Sequence, residues 1–346
     1  TNCSQKKNEP IKRVVKKINI KNKILENFKL NNKVKFHYIE HHLAHIASAF
    51  YPSGFKKSNG LSIDGSGDFV TCAIAECEEK KIKIKKKIFF PHSLGIFYHG
   101  MTQFLGFKNY GEEYKMMGLA PYGKPIYFQK IIDNLFMSEN TELIKLNLKF
   151  FNHHKPGYKY IADDNLEIDP IFNNELDYLF KKEKLENNDD FIKDFACSVQ
   201  KVYEFYFKKI ITHILSTNYS NNIVFSGGCA LNSSANLILT ENKDYFKDVF
   251  INYAPGDNGG AIGAAFVVAH KYYDKIENII TPYLGSEYNT HEIKEILEKK
   301  SYKKKLSYKF YKDDDELFKF AAELIGKGNV IGWFQGKMEF GPRALG

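Results

Sequence analysis

His41, His42 and His45 form the run His-His-Leu-Ala-His, and His41 and His45 stand four residues apart in a stretch from Glu40 to Tyr51 that lacks Pro and Gly. On an α-helix, residues at that spacing share a face, with Cβ atoms about 5–6 Å apart. Two imidazoles so placed can converge on one metal ion at about 2.0–2.1 Å. The pair is an incomplete site, and His pairs at this spacing also occur without a metal. Further ligands must come from elsewhere in the chain. Asp64, in Ile63-Asp64-Gly65-Ser66-Gly67-Asp68, and Asp257, in Ala254-Pro255-Gly256-Asp257-Asn258-Gly259-Gly260, each follow a strand-like run. Both carboxylates can therefore project from a sheet edge. Two His and two Asp make a mixed N/O site compatible with iron, zinc or manganese. His42 falls on another helix face, behind the ligands or toward solvent.

Other residues offer weaker chemistry. Gly65 and Gly67, and the pair Gly227-Gly228, could cradle a phosphate, although glycines also serve hairpins and close packing. Cys229, between Gly-Gly and Ala-Leu, reads as a small buried hydrophobe rather than a nucleophile. Glu112, Glu113 and Lys115 are handles for ribose or acceptor hydroxyls, and a surface salt bridge explains them nearly as well. Arg343, in Gly341-Pro342-Arg343-Ala344-Leu345-Gly346, sits on a constrained turn and suits bidentate binding of phosphate or carboxylate.

The elements that must position these groups are legible in outline. After a Lys/Asn-rich lead-in over residues 1–34 and the His helix, Gly60–Asp64, Phe69–Ala75 and Ile82–Phe90 read as three strands joined by Gly-Ser-Gly-Asp and Glu-Glu-Lys-Lys turns. Pro91 to Pro125 is dense in glycine and polar residues and reads as a site rather than a core. Residues 126–188 carry no chemistry that the pattern identifies. Asp190–Leu215 is an amphipathic helix whose core stripe is Phe191, Phe195, Val199, Val202, Tyr206 and Ile210. Strands at Asn222–Phe225 and Val249–Tyr253 each lead into a glycine loop and a helix, the second being Ala261–His270, a geometry that aims backbone N–H groups at an anion. A charged stretch over 286–305 suggests a domain boundary, giving domains 1–300 and 301–346. Beyond it come a helix over Asp313–Lys327 and a strand over Val330–Phe334.

The 346 residues carry a formal charge of +9, 43% hydrophobic and 26% charged residues. This composition is that of a globular protein. The lysine excess lies in runs such as 80–87, where Lys alternates with Ile as on a strand with one wet face, so nucleic acid is disfavoured as a partner. Five irregularly spaced cysteines with no CxxC suggest neither a disulfide framework nor a zinc knuckle, and a reducing, cytoplasmic compartment is expected. No run approaches the roughly 18 apolar residues of a membrane span. The absence of an initiating Met and the stop within a dense motif suggest an internal piece of a longer protein.

Seven motifs stand in order: HHLAHIASAFYPSGF, IDGSGD, PHSLGIFYHGMTQFLGF, GEEYKMMGLAPYGKP, SGGCALNSSAN, APGDNGGAIGAA and GWFQGKMEFGPRALG. Together they resemble the NodU/CmcH-type O-carbamoyltransferases over roughly residues 35 to 346. The resemblance implies an α/β fold of the duplicated actin/hexokinase/sugar-kinase (ASKHA) kind, similar to tRNA threonylcarbamoyl-transfer proteins, without its first strands, followed by the start of a YrdC-like domain. It implies that the YrdC-like part makes carbamoyl-adenylate from carbamoyl phosphate and ATP. The larger part then passes the carbamoyl group to an acceptor hydroxyl beside a bound iron. By motif, His41, His45, Asp64 and Asp257 would hold the iron (Fe2+, or another divalent metal), with His41 and His45 also counted as catalytic. Gly227, Gly228 and Asn232 match the adenosine loop, with Gly65 and Gly67 as a further cradle. Glu113 and Lys115 match the Glu-Tyr-Lys motif, Glu113 as a nucleotide or acceptor contact and Lys115 as a catalytic group. Arg343 would bind carbamoyl phosphate. The implied partners are carbamoyl phosphate, ATP, with Mg2+ as its companion, and a small hydroxyl-bearing acceptor; a homodimer is compatible. The rivals are a tRNA threonylcarbamoyl transferase, disfavoured because the metal motif reads HHLAH, and a degenerate nucleotide-binding scaffold.

Overall fold

The computed structural model describes residues 20–29, 33–137, 142–159, 169–186, 188–241, 245–274, 276, 281–299 and 306–342. The chain divides into two compact units, 1–279 and 280–346, whereas the composition placed the change at 300/301.

Unit 1 is a mixed α/β structure around one five-stranded sheet. Its strands are β1 (Lys57–Gly67), β2 (Val70–Glu78), β3 (Lys81–Phe89), β4 (Asn222–Ser226) and β5 (Asp248–Ile251), in the order β3-β2-β1-β4-β5. The helices are α1 (Ile20–Asn27), α2 (His41–Ser53), α3 (Leu94–Phe104), α4 (Glu113–Leu119), α5 (Phe128–Leu135), α6 (Asn174–Leu179), α7 (Lys181–Glu186), α8 (Asn188–Leu215), α9 (Ser233–Glu241) and α10 (Asp257–Tyr272). The first three strands form an antiparallel meander, and β1, β4 and β5 run parallel. Side chains alternate across a pleated sheet, and the packing follows that alternation except at Val70, where the β2–β3 register shifts. Leu61, Ile63, Cys72, Ile74, Ile223 and Phe225 enter one core with α3, α5 and α8. Val70, Ala73, Ala75, Cys77 and Val224 enter a second core with α2 and Phe266 of α10. Helices thus cover both faces of the sheet.

Local rules explain the elements that matter to the site. The Glu40 carboxylate caps α2 by accepting from Leu43 N at 2.7 Å, and Gly54, at φ 73°, ends it. Buried on nearly every side, α2 is pressed between the sheet and α10. Along β1, Gly60, Ser62 and Asp64 form the row beneath α2: a methyl on Gly60 would lie 2.7 Å from Ile46, and Ser62 meets His42. The β1–β2 register shifts between Ile63 and Gly67, so Asp64 stands on a bulge, a device that re-aims a side chain. The turn is Asp68-Phe69, both at positive φ, as a two-residue hairpin requires. Phe69 therefore belongs to the turn, not to the strand expected from it.

The expected core stripe of α8 is buried throughout. Residues 126–188, where the pattern identified no chemistry, supply Ile131, Leu135, Phe136, Ile144, Phe151, Ile171 and Phe180 to the first core. On β3, Ile82 and Ile84 pack inward while Lys81, Lys83 and Lys85 stay exposed, the charged edge that discourages further strand pairing.

Unit 2 contains α11 (Thr290–Glu298), opened by an Asn289/Glu292 capping box, and α12 (Asp314–Gly326). The expected strand at Val330–Phe334 is not formed. No neighbouring strand pairs with it among the described residues, and Val330 is 99% exposed. Among the described residues no helix is long and apolar enough to cross a membrane.

Candidate metal centre

The carboxyl ends of β1, β4 and β5 meet at one edge of unit 1, where ligands bind in open α/β sheets. Asp64 stands in the β1 bulge, directly after the Ile63–Cys72 pair. Asp257 is the first residue of α10, after the N-cap Gly256, so it sits at a helix start and not on the strand-end loop expected from the sequence. The loop before it is tied down by Asn252, whose amide donates to the Ser48 carbonyl and whose Oδ1 accepts from Ala254 N at 3.1 Å. The first turns of α10 pack tightly on α2: a methyl on Gly263 would lie 1.8 Å from the Ala44 carbonyl oxygen.

These supports bring His41, His45, Asp64 and Asp257 together, with ligand atoms all within 4.8 Å of one another. His41 Nε2 and His45 Nε2 each lie 3.0 Å from Asp64 Oδ2 and 2.9 Å from each other. Asp257 Oδ1 is 3.6 Å from His41 Nε2 and 3.4 Å from His45 Nε2. Four ligands held tetrahedrally at Zn-like distances stand about 3.4 Å apart; the observed separations bracket that value. Burial works against a charged His45, yet hydrogen bonds to Asp257 and Asp64 push its imidazole up to about 9. Burial likewise opposes a charged Asp64, but the contacts with His41 and His45 hold it well below the usual carboxylate range. The cluster thus demands positive charge at its centre, and its donor set suits a divalent cation. His45 Nδ1 is buried without a hydrogen-bond partner among the described residues, so the Nε2 contacts alone orient that ring.

Around the four, Asp68 Oδ2 accepts from His41 N at 3.1 Å. Asp68 joins Ile39, Ala44, Gly260 and Ala264 in lining a cleft of about 300 Å³. His42 is fully buried, correcting any solvent-facing placement. Its Nε2 donates to Val70 O and its Nδ1 accepts from the Ser62 hydroxyl, both at 2.9 Å, which fixes α2 over β1 and β2. Burial lowers this imidazole to about 4, so it is neutral.

The glycines act chiefly through close approach. A methyl on Gly67 would lie 2.1 Å from the His41 ring, one on Gly227 2.2 Å from Ile63 O, and one on Gly228 2.9 Å from Asp64 Oδ1. Gly65 N donates to Asp64 Oδ1 at 2.7 Å and Gly227 N to Pro255 O at 2.7 Å; neither amide is left for an anion. Asn232 exchanges hydrogen bonds with Gln200 and caps α9 by accepting from Ala235 N at 3.1 Å. Lys115 Nζ pairs with Glu112 Oε1 at 2.5 Å, the surface pairing that the sequence left open. Burial raises the Cys229 thiol, as a packing role requires. Arg343 and Cys3 lie outside the described residues. Sequence reasoning missed His99, whose Nδ1 is 2.5 Å from Glu113 Oε1. Its signal was the spacing of four from Gly95, which packs on Asp64.

The family description "Carbamoyltransferase N-terminus" matches residues 6–266, and "Carbamoyltransferase C-terminus" matches residues 322–346. The chain belongs to the carbamoyltransferase family. A family relative, an uncharacterized protein of Synechocystis sp., is 37% identical over 326 residues, covering 89% of this chain and 49% of that protein. Nodulation protein NolO of Bradyrhizobium diazoefficiens is 30% identical over 312 residues, covering 89% of this chain and 52% of that protein. The chain spans about half the length of the curated relatives it matches. Among solved structures, full-length HypF in a phosphate- and nucleotide-bound form overlaps at a TM-score of 0.36 and 17% identity, over 70% of this chain and 44% of that one. That likeness is too slight to carry an argument.

Proposed function

We propose that the full protein is an O-carbamoyltransferase. Carbamoyl phosphate and ATP give carbamoyl-adenylate, and unit 1 transfers the carbamoyl group to an acceptor hydroxyl beside an Fe2+ or similar divalent ion. The observation that carries this reading is the convergence of His41, His45, Asp64 and Asp257 within 4.8 Å in a chain of the carbamoyltransferase family. The single sheet, with a meander followed by parallel strands and helices on both faces, supports one half of a duplicated ASKHA-like fold.

A mixed anhydride is already activated, so what remains is to orient the acceptor and to stabilise charge on the carbonyl and the departing AMP. A divalent ion bound by the two imidazoles and two carboxylates would supply Lewis-acid polarisation. The chain's own residues set the geometry: His42 locks α2, Asn252 fixes the loop before Asp257, and the glycines let Asp64 and His41 approach. Gly228, whose backbone approaches the Asp64 carboxylate, and Asn232 are proposed to contact the nucleotide, and Arg343 to bind carbamoyl phosphate.

The test is to incubate full-length protein with labelled carbamoyl phosphate, ATP and a metabolite extract, and to identify carbamoylated hydroxyl compounds by mass spectrometry. His41→Ala or Asp257→Ala should abolish transfer while pyrophosphate exchange into ATP stays within about twofold of wild type. Equal loss of both activities would defeat this division of labour.

A further inference from the structure

We propose that Glu113 takes the proton of the acceptor hydroxyl and that His99 is the residue that positions its carboxylate. The proposal rests on the carbamoyl-transfer reading above and deepens it.

The two residues form a polar centre of their own. His99 Nδ1 and Glu113 Oε1 are 2.5 Å apart, with the imidazole side chain 8% exposed and the carboxylate 33% exposed. His99 Nε2 is buried and has no hydrogen-bond partner among the described residues. A carboxylate oxygen accepts, so the imidazole donates its Nδ1–H to Glu113. That one bond commits the imidazole to Glu113. Glu113 makes no other side-chain hydrogen bond among the described residues, and its side chain is one-third exposed.

The pair stands next to the metal centre. The Ser93 hydroxyl, at the start of α3, accepts from Ile96 N at 3.0 Å and donates to Gly65 O at 2.7 Å. A methyl on Gly95 would lie 2.8 Å from Asp64 O. His99 follows Gly95 by four residues, so it lies on the same helix face about 6 Å further along. Tyr110 spans the gap: its ring is 6.1 Å from that of His99. Tyr110 is 60% exposed, and partial desolvation together with the carboxylates of Asp257, Asp64 and Glu113 raises its phenol above the ordinary value.

Transfer needs such a group. The hydroxyl oxygen forms the new C–O bond to the carbamoyl carbon, and the bond from that carbon to the AMP oxygen breaks. AMP leaves with the electron pair, and the hydroxyl proton must go to a base. Glu113 Oε2 accepts it and passes it to water. A positioned general base contributes about 10²–10⁴-fold.

The experiment uses full-length protein, ¹⁴C-carbamoyl phosphate and ATP, with the small-molecule fraction of a cell extract as acceptor. It records pyrophosphate exchange and label transferred to hydroxyl compounds. Glu113→Gln should lower transfer about 10²–10⁴-fold relative to pyrophosphate exchange by the same variant. His99→Leu should lower kcat for transfer in the same sense. His99→Asn, which keeps a donor at the Nδ1 position, should restore most of it and guards against a folding defect. If wild type transfers label and Glu113→Gln does so equally fast, the inference is overturned and the carbamoyl-transfer reading stands. If exchange falls in parallel with transfer, Glu113 holds nucleotide and the inference is likewise overturned. If wild type exchanges pyrophosphate but labels no hydroxyl compound, the transfer reading itself fails.

Discussion

His41 reaches Asp64 only because residue 67 has no side chain, and Asp64 faces the imidazoles only because β1 bulges after Ile63. Gly67→Ala would put a methyl 2.1 Å from the His41 ring. We expect it to weaken divalent-metal binding at least tenfold, about 1.4 kcal/mol, while the far-UV circular dichroism is unchanged. Unaltered Co2+ affinity in that variant would remove His41 from the ligand set. A residue away from the centre contributes to the acid limb of stability. Burial lowers the His153 imidazole from 6.5 to about 4, and its Nε2 donates to Pro91 O at 2.9 Å. Between those values the unfolded state binds a proton that the folded state does not. Stability contributed by this group is therefore intact above pH 6.5 and falls as pH drops toward 4, by up to about 3 kcal/mol. Urea midpoints across that window should fall for wild type and flatten partly in His153→Gln. An equal slope in both would show that another group takes up the proton.

Helix α10 carries Asp257 to the centre, and its position depends on contact with α2 rather than on the loop alone. Gly263 faces the Ala44 carbonyl so closely that a side chain there must push the helices apart. Gly263→Leu should cost roughly 3 kcal/mol through overpacking and should lose metal as well, because Asp257 moves with its helix. Thermal melts with and without added metal would check this: the variant's midpoint should lack the metal-dependent rise of wild type. On the other side of the sheet, α3 begins against Asp64 through Ser93 and Gly95. One strand end therefore anchors both the metal ligands and the His99–Glu113 pair.

At the scale of the molecule, unit 1 contains all four ligands and, among the described residues, every buried large hydrophobic side chain. Among its described residues, unit 2 buries Ala321 alone. A chain cut after residue 279 should accordingly keep its secondary structure and its metal stoichiometry, with a melting midpoint within a few degrees of the intact chain. Loss of metal on truncation would show that unit 2 contributes to the centre.

Local patterns made much of this legible. The spacing of His41 and His45, the alternation along β1 to β3 and the stripe on α8 are set by helical and strand periods, which a sequence displays directly. The ordered motifs displayed the family in the same way. What the periods cannot carry is distance between elements. Asp64 and Asp257 are 193 positions apart, and only the parallel pairing of β1, β4 and β5 brings their ends to one edge. His42 read as a residue of no fixed role until the sheet supplied Ser62 and Val70 as its partners. Of the glycines read as phosphate cradles, Gly67, Gly227 and Gly228 also stand at close-approach positions, and the Gly65 and Gly227 amides are already bonded. Val330–Phe334 had a strand's composition and, among the described residues, no strand to pair with. The sequence by itself determined which side chains could hold a cation and on which local elements they lie. Tertiary structure decided that they meet, because a site assembled across strand ends depends on sheet order and helix contact, neither of which is a local property of the chain.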